Sequence, residues 1–146
     1  MIYVLDASAV LRYLDGEAGA ERVSQIIKGH LAGAHRVVIS AIHWGEVAGI
    51  VSKRHGRARM EDALSRLVAF GFEMVPVTAD RAVKSALIKV ERKIPYADAF
   101  GVELAGDSAE HVLVTADFDV KPAEGDVRIE FLPTKVEQAL LSQTGI

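Results

Sequence analysis

The sequence predicts an α/β fold, a three-layer α/β/α sandwich on a mainly parallel central sheet. Three observations predict it. Short, continuously apolar runs such as "IYVL", "RVVIS" and "HVLVT" have the pattern of strands buried on both faces. Segments of helical period alternate with them along the chain. Gly, Pro, Ser and Thr stand at the boundaries between the two kinds of segment.

Taken in order, "MIYVLD" reads as a first buried strand ending in Asp6. "SAVLRYLDG" follows as a helix stopped by Gly16, and "EAGAERVSQIIKGHLAG" as a second, with Val23, Ile26, Ile27 and Leu31 on one stripe and Gly33 as its close. "RVVIS" is the second strand. Ser40 caps the next helix, "AIHWGEVAGIVSKRHG", which ends at Gly56. "RARMEDALSRLVAFG" is a further amphipathic helix, and "FEMVPV" a short strand or an extended entry to the next one. Thr78 caps "ADRAVKSALIKVERK", and Pro95 suits the first turn of "PYADAFGVELAG". "HVLVT" is another strand, "ADFDVKPAEGD" a polar loop, "VRIEFL" a last strand and "TKVEQALLSQ" a last helix.

A length of 146 residues, without repeats or a linker, predicts a single domain over residues 1–146. No apolar run approaches the ~20 residues of a membrane span. The N-terminus has no basic region followed by an apolar stretch, so no secretory signal is expected. The absence of cysteine excludes disulfides, thiolate zinc sites and a cysteine nucleophile, and fits a cytoplasmic setting. With a net charge of -3 the chain is no polycation, so any contact with nucleic acid falls to a local basic patch or to metal ions.

Four acids stand in apolar company. Asp6 ends the first strand and Asp117 follows "HVLVT" by two residues, which puts both at the carboxyl edge of the sheet, where open parallel sheets bind ligands. Glu46 shares a helical stripe with Ile42 and Ile50, and Asp98 one with Val102. Singly, each has a plainer reading: a turn or cap for Asp6, a loop acid for Asp117, a helix edge for Glu46, a dipole partner for Asp98. Gathered at one edge, four carboxylates repel, and a divalent cation resolves the repulsion. Oxygen ligands without cysteine favour Mg2+ or Mn2+.

"YVLDASAVLRYL", "ISAIHWGEV", "IPYADAFGVELA" and "LVTADFDV" resemble, in that order, the acidic motifs of PIN-domain ribonucleases, most closely the VapC-type toxins of type II toxin–antitoxin pairs. The resemblance implies that Asp6, Glu46, Asp98 and Asp117 form a catalytic quartet holding Mg2+ or Mn2+. It further implies an endoribonuclease that hydrolyses RNA phosphodiester bonds, is silenced by a cognate antitoxin and pairs as a homodimer. Asp6 and Asp98 would be the central ligands, Asp117 would complete the inner or outer shell, and Glu46 would orient the attacking water or bind the ion through water. Ser8 and Thr115 match supporting hydroxyl positions. Asp119 lies two residues beyond Asp117, and the family position favours Asp117. Val120 stands where the family often has an aromatic residue.

Cationic side chains near such a site would meet phosphate or a partner: Lys53, Arg54, Arg57 and Arg59 at one helix junction, Lys84, Lys89, Arg92 and Lys93 along another helix, and Arg12 one turn beyond Ser8. The plainer role of these residues is solubility and dipole compensation. His30, His35, His43, His55 and His111 lack zinc spacing, and His43, just ahead of Trp44 in the Glu46 helix, is expected to be structural. The few aromatics (6%) are expected in the core or at interfaces and not as base-stacking platforms. Two other functions compete. A phosphoacceptor or phosphatase domain would want a second acid beside Asp6, which "LDASAV" lacks. A catalytically silent RNA- or protein-binding scaffold would not need all four acids.

Overall fold

In the computed structural model, which describes residues 1–143, five strands form one parallel sheet. They are β1 (Ile2–Leu5), β2 (Arg36–Ser40), β3 (Glu73–Val75), β4 (His111–Thr115) and β5 (Ile129–Phe131), in the spatial order β3-β2-β1-β4-β5. The order reverses at β1, whose neighbours on either side are β2 and β4, so the crevice at the β1/β4 carboxyl ends is a topological switch point.

Alternation along the strands explains the three layers. Leu5, Val37, Ile39 and Val114 face one side with α1 (Ala7–Asp15), α2 (Ala20–Leu31), α3 (Ala41–His55) and α4 (Arg57–Ala69). Val4, Val38 and Leu113 face the other, with Ile94, α6 (Tyr96–Ala105) and the buried residues Val120 and Ala123. Helix α5 (Ala79–Arg92) packs on α6, and α7 (Lys135–Gln143) closes the described chain. No helix among the described residues is long and apolar enough to cross a membrane.

The predicted caps form. Ser40 Oγ accepts from the Ile42 amide at 3.3 Å, and Thr78 Oγ1 from the Arg81 amide at 3.2 Å. One expectation is corrected: "ADFDVKPAEGD" is not a plain polar loop, since Phe118–Ala123 winds into a 3₁₀ helix. Its Val120 and Ala123 are fully buried, so this segment seals one end of the lower core while leaving its acids outside. "FEMVPV" resolves into the three-residue edge strand β3.

Candidate metal centre

Local structure brings the acids to one edge. Asp6 is the N-cap of α1, its Oδ1 accepting from the Ala9 amide at 2.9 Å, and its backbone amide reaches Val114 on β4. Asp117 caps the 3₁₀ helix, its Oδ1 accepting from the Asp119 amide at 2.9 Å. Asp98 lies in the first turn of α6 and Glu46 in the second turn of α3. Three helix N-termini thus point their positive ends toward the crevice, which favours anionic side chains there.

Asp6, Glu46, Asp98 and Asp117 line a common cleft of about 160 Å³ with Ala7, Ser8, Leu11, His43 and Ile50. No lysine or arginine lines it. Carboxylate oxygens of Asp98, Asp117 and Asp119 lie within 4.8 Å of one another. Asp119, which motif matching ranks below Asp117, therefore stands inside the acidic cluster. Its signal in the sequence is the two-residue spacing from Asp117, and the bond from its amide to the Asp117 carboxylate folds it back toward Asp98. Leu11 and Ile50 wall the cleft, each one helical turn past a site residue, Leu11 at i,i+3 from Ser8 and Ile50 at i,i+4 from Glu46.

The electrostatics are those of an unneutralised anionic hollow. Burial pushes the Asp6 carboxyl above its usual range, against the opposing pull of the Ser8 and Thr115 hydroxyls, His43 and the Ala9 amide. Burial also raises Glu46, opposed by His43 and reinforced by the charges of Asp6 and Asp117. Asp98 rises to about 7, through burial first, then the charge of Asp117 and a hydrogen bond with it, then Asp6 and Glu46. Protonation of Asp98 is how the crowded cluster limits its repulsion.

The Ser8 and Thr115 hydroxyls bond to the acids and to the backbone beside them. Ser8 Oγ donates to Asp6 Oδ1 at 2.6 Å, accepts from the Ala116 amide at 2.8 Å and lies 3.2 Å from Thr115 Oγ1. Since its one proton goes to Asp6, the Ser8–Thr115 bond is donated by Thr115. Thr115 Oγ1 in turn accepts from the Asp117 amide at 3.0 Å. One chain of bonds therefore links Asp6, just past β1, to Asp117 beyond β4.

His43 is buried, with Nε2 2.8 Å from the Ala97 carbonyl and 3.9 Å from Glu46 Oε1, and with Nδ1 unpartnered. It fits against Gly101, where an added Cβ would stand 3.4 Å from the imidazole and 3.0 Å from Leu113 Cδ1. Glycine there lets α6 approach both β4 and α3.

The cationic candidates lie outside the cleft. Arg54 pairs with Asp15 (3.3 Å), Arg57 with Glu61 (3.0 Å), Lys84 with Asp80 (2.9 Å) and Arg92 with Asp126 (2.6 Å). Arg12 donates to the Ala18 carbonyl at 3.2 Å. Lys53, Arg59, Lys89 and Lys93 make no ion pair among the described residues, and Lys93 takes a left-handed conformation (φ 55°) in the turn that leads into the Asp98 helix.

The PIN domain family matches residues 3–125. No curated protein matches the sequence. Solved structures share the fold. A chain of VapBC2 from Rickettsia felis, bound to a DNA fragment from its promoter, has a TM-score of 0.71 at 16% identity, covering 90% of this chain and 98% of that one. Mycobacterium tuberculosis VapC20, a toxin that cleaves the sarcin–ricin loop, has a TM-score of 0.64 at 18% identity, covering 91% and 100%. A chain of a toxin–antitoxin complex from Klebsiella pneumoniae has a TM-score of 0.62 at 23% identity, covering 88% and 95%.

Proposed function

The chain belongs to the PIN domain family, and from that premise we propose that residues 1–146 act as one domain, a Mg2+- or Mn2+-dependent endoribonuclease and the toxin of a toxin–antitoxin pair. One observation carries the reading: Asp98 and Asp117 line a cleft with Asp6 and Glu46 and no lysine or arginine, and Asp119 brings a third carboxylate oxygen within 4.8 Å of theirs. Those residues fit a hard divalent cation by chemistry and charge, because all are oxygen donors and burial already drives three of them toward protonation.

Asp6, Asp98 and Asp117 would hold the ion, with Asp119 as a further ligand from the same turn. When bound, a divalent cation supplies Lewis acidity at the phosphoryl oxygens and a lowered pKa for its water. Glu46, on the longer side chain and half-exposed, orients the attacking water and accepts its proton. Ser8 and Thr115 fix the Asp6 carboxylate. Lys89 and Lys93, which make no ion pair among the described residues, would provide charge for the RNA backbone. The silencing partner is an antitoxin segment that sets a basic side chain among the acids, a bidentate arginine suiting a carboxylate cluster best. The VapBC complexes among the structural neighbours support such a partner, and a homodimer is expected in solution.

The test is cleavage of a panel of structured RNAs with Mg2+ or Mn2+. Cleavage that stops with EDTA and in Asp6→Asn and Asp98→Asn supports the reading. Cleavage that persists through chelation and both substitutions sinks it.

A further inference from the structure

Aromatic side chains are expected in the core or at interfaces and not as base-stacking platforms, and Phe100 is buried while Tyr3, Tyr13, Trp44, Phe70, Phe72 and Phe131 are partly buried against the core. Among the described Phe, Tyr and Trp residues only Phe118 (45%) and Tyr96 (40%) are exposed. Both adjoin site acids: Tyr96 lies two residues before Asp98, and Phe118 directly follows Asp117. Two scattered surface aromatics would need no explanation, whereas two that both adjoin site acids in the chain do.

Phe118 is the better built of the two. Its ring stacks on Phe131, at the end of β5, with centroids 5.0 Å apart and planes within 3°. That contact fixes the ring's plane, and the residue remains 45% exposed. The bond from the Asp119 amide to Asp117 Oδ1 closes a turn across Phe118 and ties the ring to the acids on both sides of it. Phe118 thus stands in the chain between two carboxylates of the acidic cluster, Asp117 and Asp119. Tyr96, by contrast, meets Phe100 edge-on and turns its hydroxyl to the Ala82 carbonyl of α5.

Resting on the ribonuclease reading, we infer that Phe118 is the platform on which the base of a nucleotide flanking the scissile phosphate stacks. A flat, pre-oriented ring beside the reacting centre lowers the cost of ordering a flexible strand there. Stacking is tolerant of base identity, so Phe118 holds the strand in register, and choice among bases falls to polar groups elsewhere.

Steady-state cleavage of a short single-stranded RNA tests this, with the base at each position around the scissile bond removed in turn. Phe118→Ala is expected to raise KM by about 5- to 150-fold with kcat changed less than about 3-fold, and Phe118→Trp to restore KM. Phe118→Leu keeps the apolar contact with Phe131 and the melting midpoint while losing the aromatic face, so its KM should follow that of Phe118→Ala. Removing one flanking base should raise the wild-type KM by the same factor and leave Phe118→Ala unchanged, the signature of a direct contact. Unaltered KM in Phe118→Ala and Phe118→Leu, or additive effects at every abasic position, overturns the inference and leaves Phe118 to a protein contact. A wild-type protein that cleaves no RNA overturns the ribonuclease reading and this inference with it.

Discussion

His43 donates its Nε2 proton to the carbonyl oxygen of Ala97 at 2.8 Å, and Ala97 immediately precedes Asp98. One buried side chain on α3 thereby sets the distance between the helix that carries Glu46 and the helix that carries Asp98. His43→Ala removes the second donor to the Ala97 carbonyl and opens a void. It should cost about 2–4 kcal/mol of stability by denaturant melts and lower cleavage at least tenfold. Glutamine extends an amide N–H to nearly the same place, so His43→Gln should recover most of both. Equal losses in the two variants would show that the imidazole's shape matters and the bond does not.

Ser8 touches no substrate in this reading, yet it holds three neighbours at once. Ser8→Ala deprives Asp6 of its 2.6 Å donor and leaves the Ala116 amide without its acceptor. Calorimetric titration with Mn2+ should show affinity falling by about 10- to 100-fold, the usual cost of losing a group that orients a metal ligand. Affinity within about twofold of wild type would remove Ser8 from the site.

Acid crowding also predicts how the metal-free protein responds to pH. Asp98 titrates near 7 in the folded chain against 3.8 ordinarily, so between about pH 4 and pH 7 the native state binds more protons than the unfolded state. Stability contributed by this group is present below that window and lost as pH rises through it. Because Asp98 is half-exposed, the loss is on the order of 1–2 kcal/mol, a fall of about 3–6 °C in melting midpoint between pH 5 and pH 8 in EDTA. Mn2+ should abolish the fall, and Asp98→Asn should flatten it without metal. A midpoint that rises over that interval would contradict the assigned direction.

Much of this was legible in the sequence because it rests on period and punctuation. The strands announce themselves as "IYVL", "RVVIS" and "HVLVT", apolar on both faces, and Ser40 and Thr78 mark helix starts that form as read. Asp6 and Asp117 were placeable because they end or follow strands. The segment after Asp117 was not, since its polarity reads as a loop while Val120 and Ala123 are needed to close the lower core. That burial winds the turn, and the turn swings Asp119 into the cluster. Nor could helical period alone say that His43, one turn from Glu46, reaches across to α6. That contact depends on Gly101 letting two helices meet, a relation between residues more than fifty positions apart in sequence.

The turn after β4 allows the duties of Asp117 and Asp119 to be separated. Asp117 offers one oxygen to the Asp119 amide and has the other for an ion; Asp119 is exposed and caps nothing. Asp117→Ala should therefore lose both a cap, worth about 1 kcal/mol in melting experiments, and Mn2+ binding. Asp117→Asn keeps an acceptor for the amide, so its stability should stay near wild type while Mn2+ affinity falls by 100-fold or more, on the order of 3 kcal/mol. Asp119→Asn leaves the turn intact and removes only a peripheral carboxylate, so its melting curve should not move and its affinity should fall by about tenfold. If Asp119→Asn binds Mn2+ as wild type does, the ion is held by Asp6, Asp98 and Asp117 without it, and the proximity of Asp119 is only a consequence of the turn.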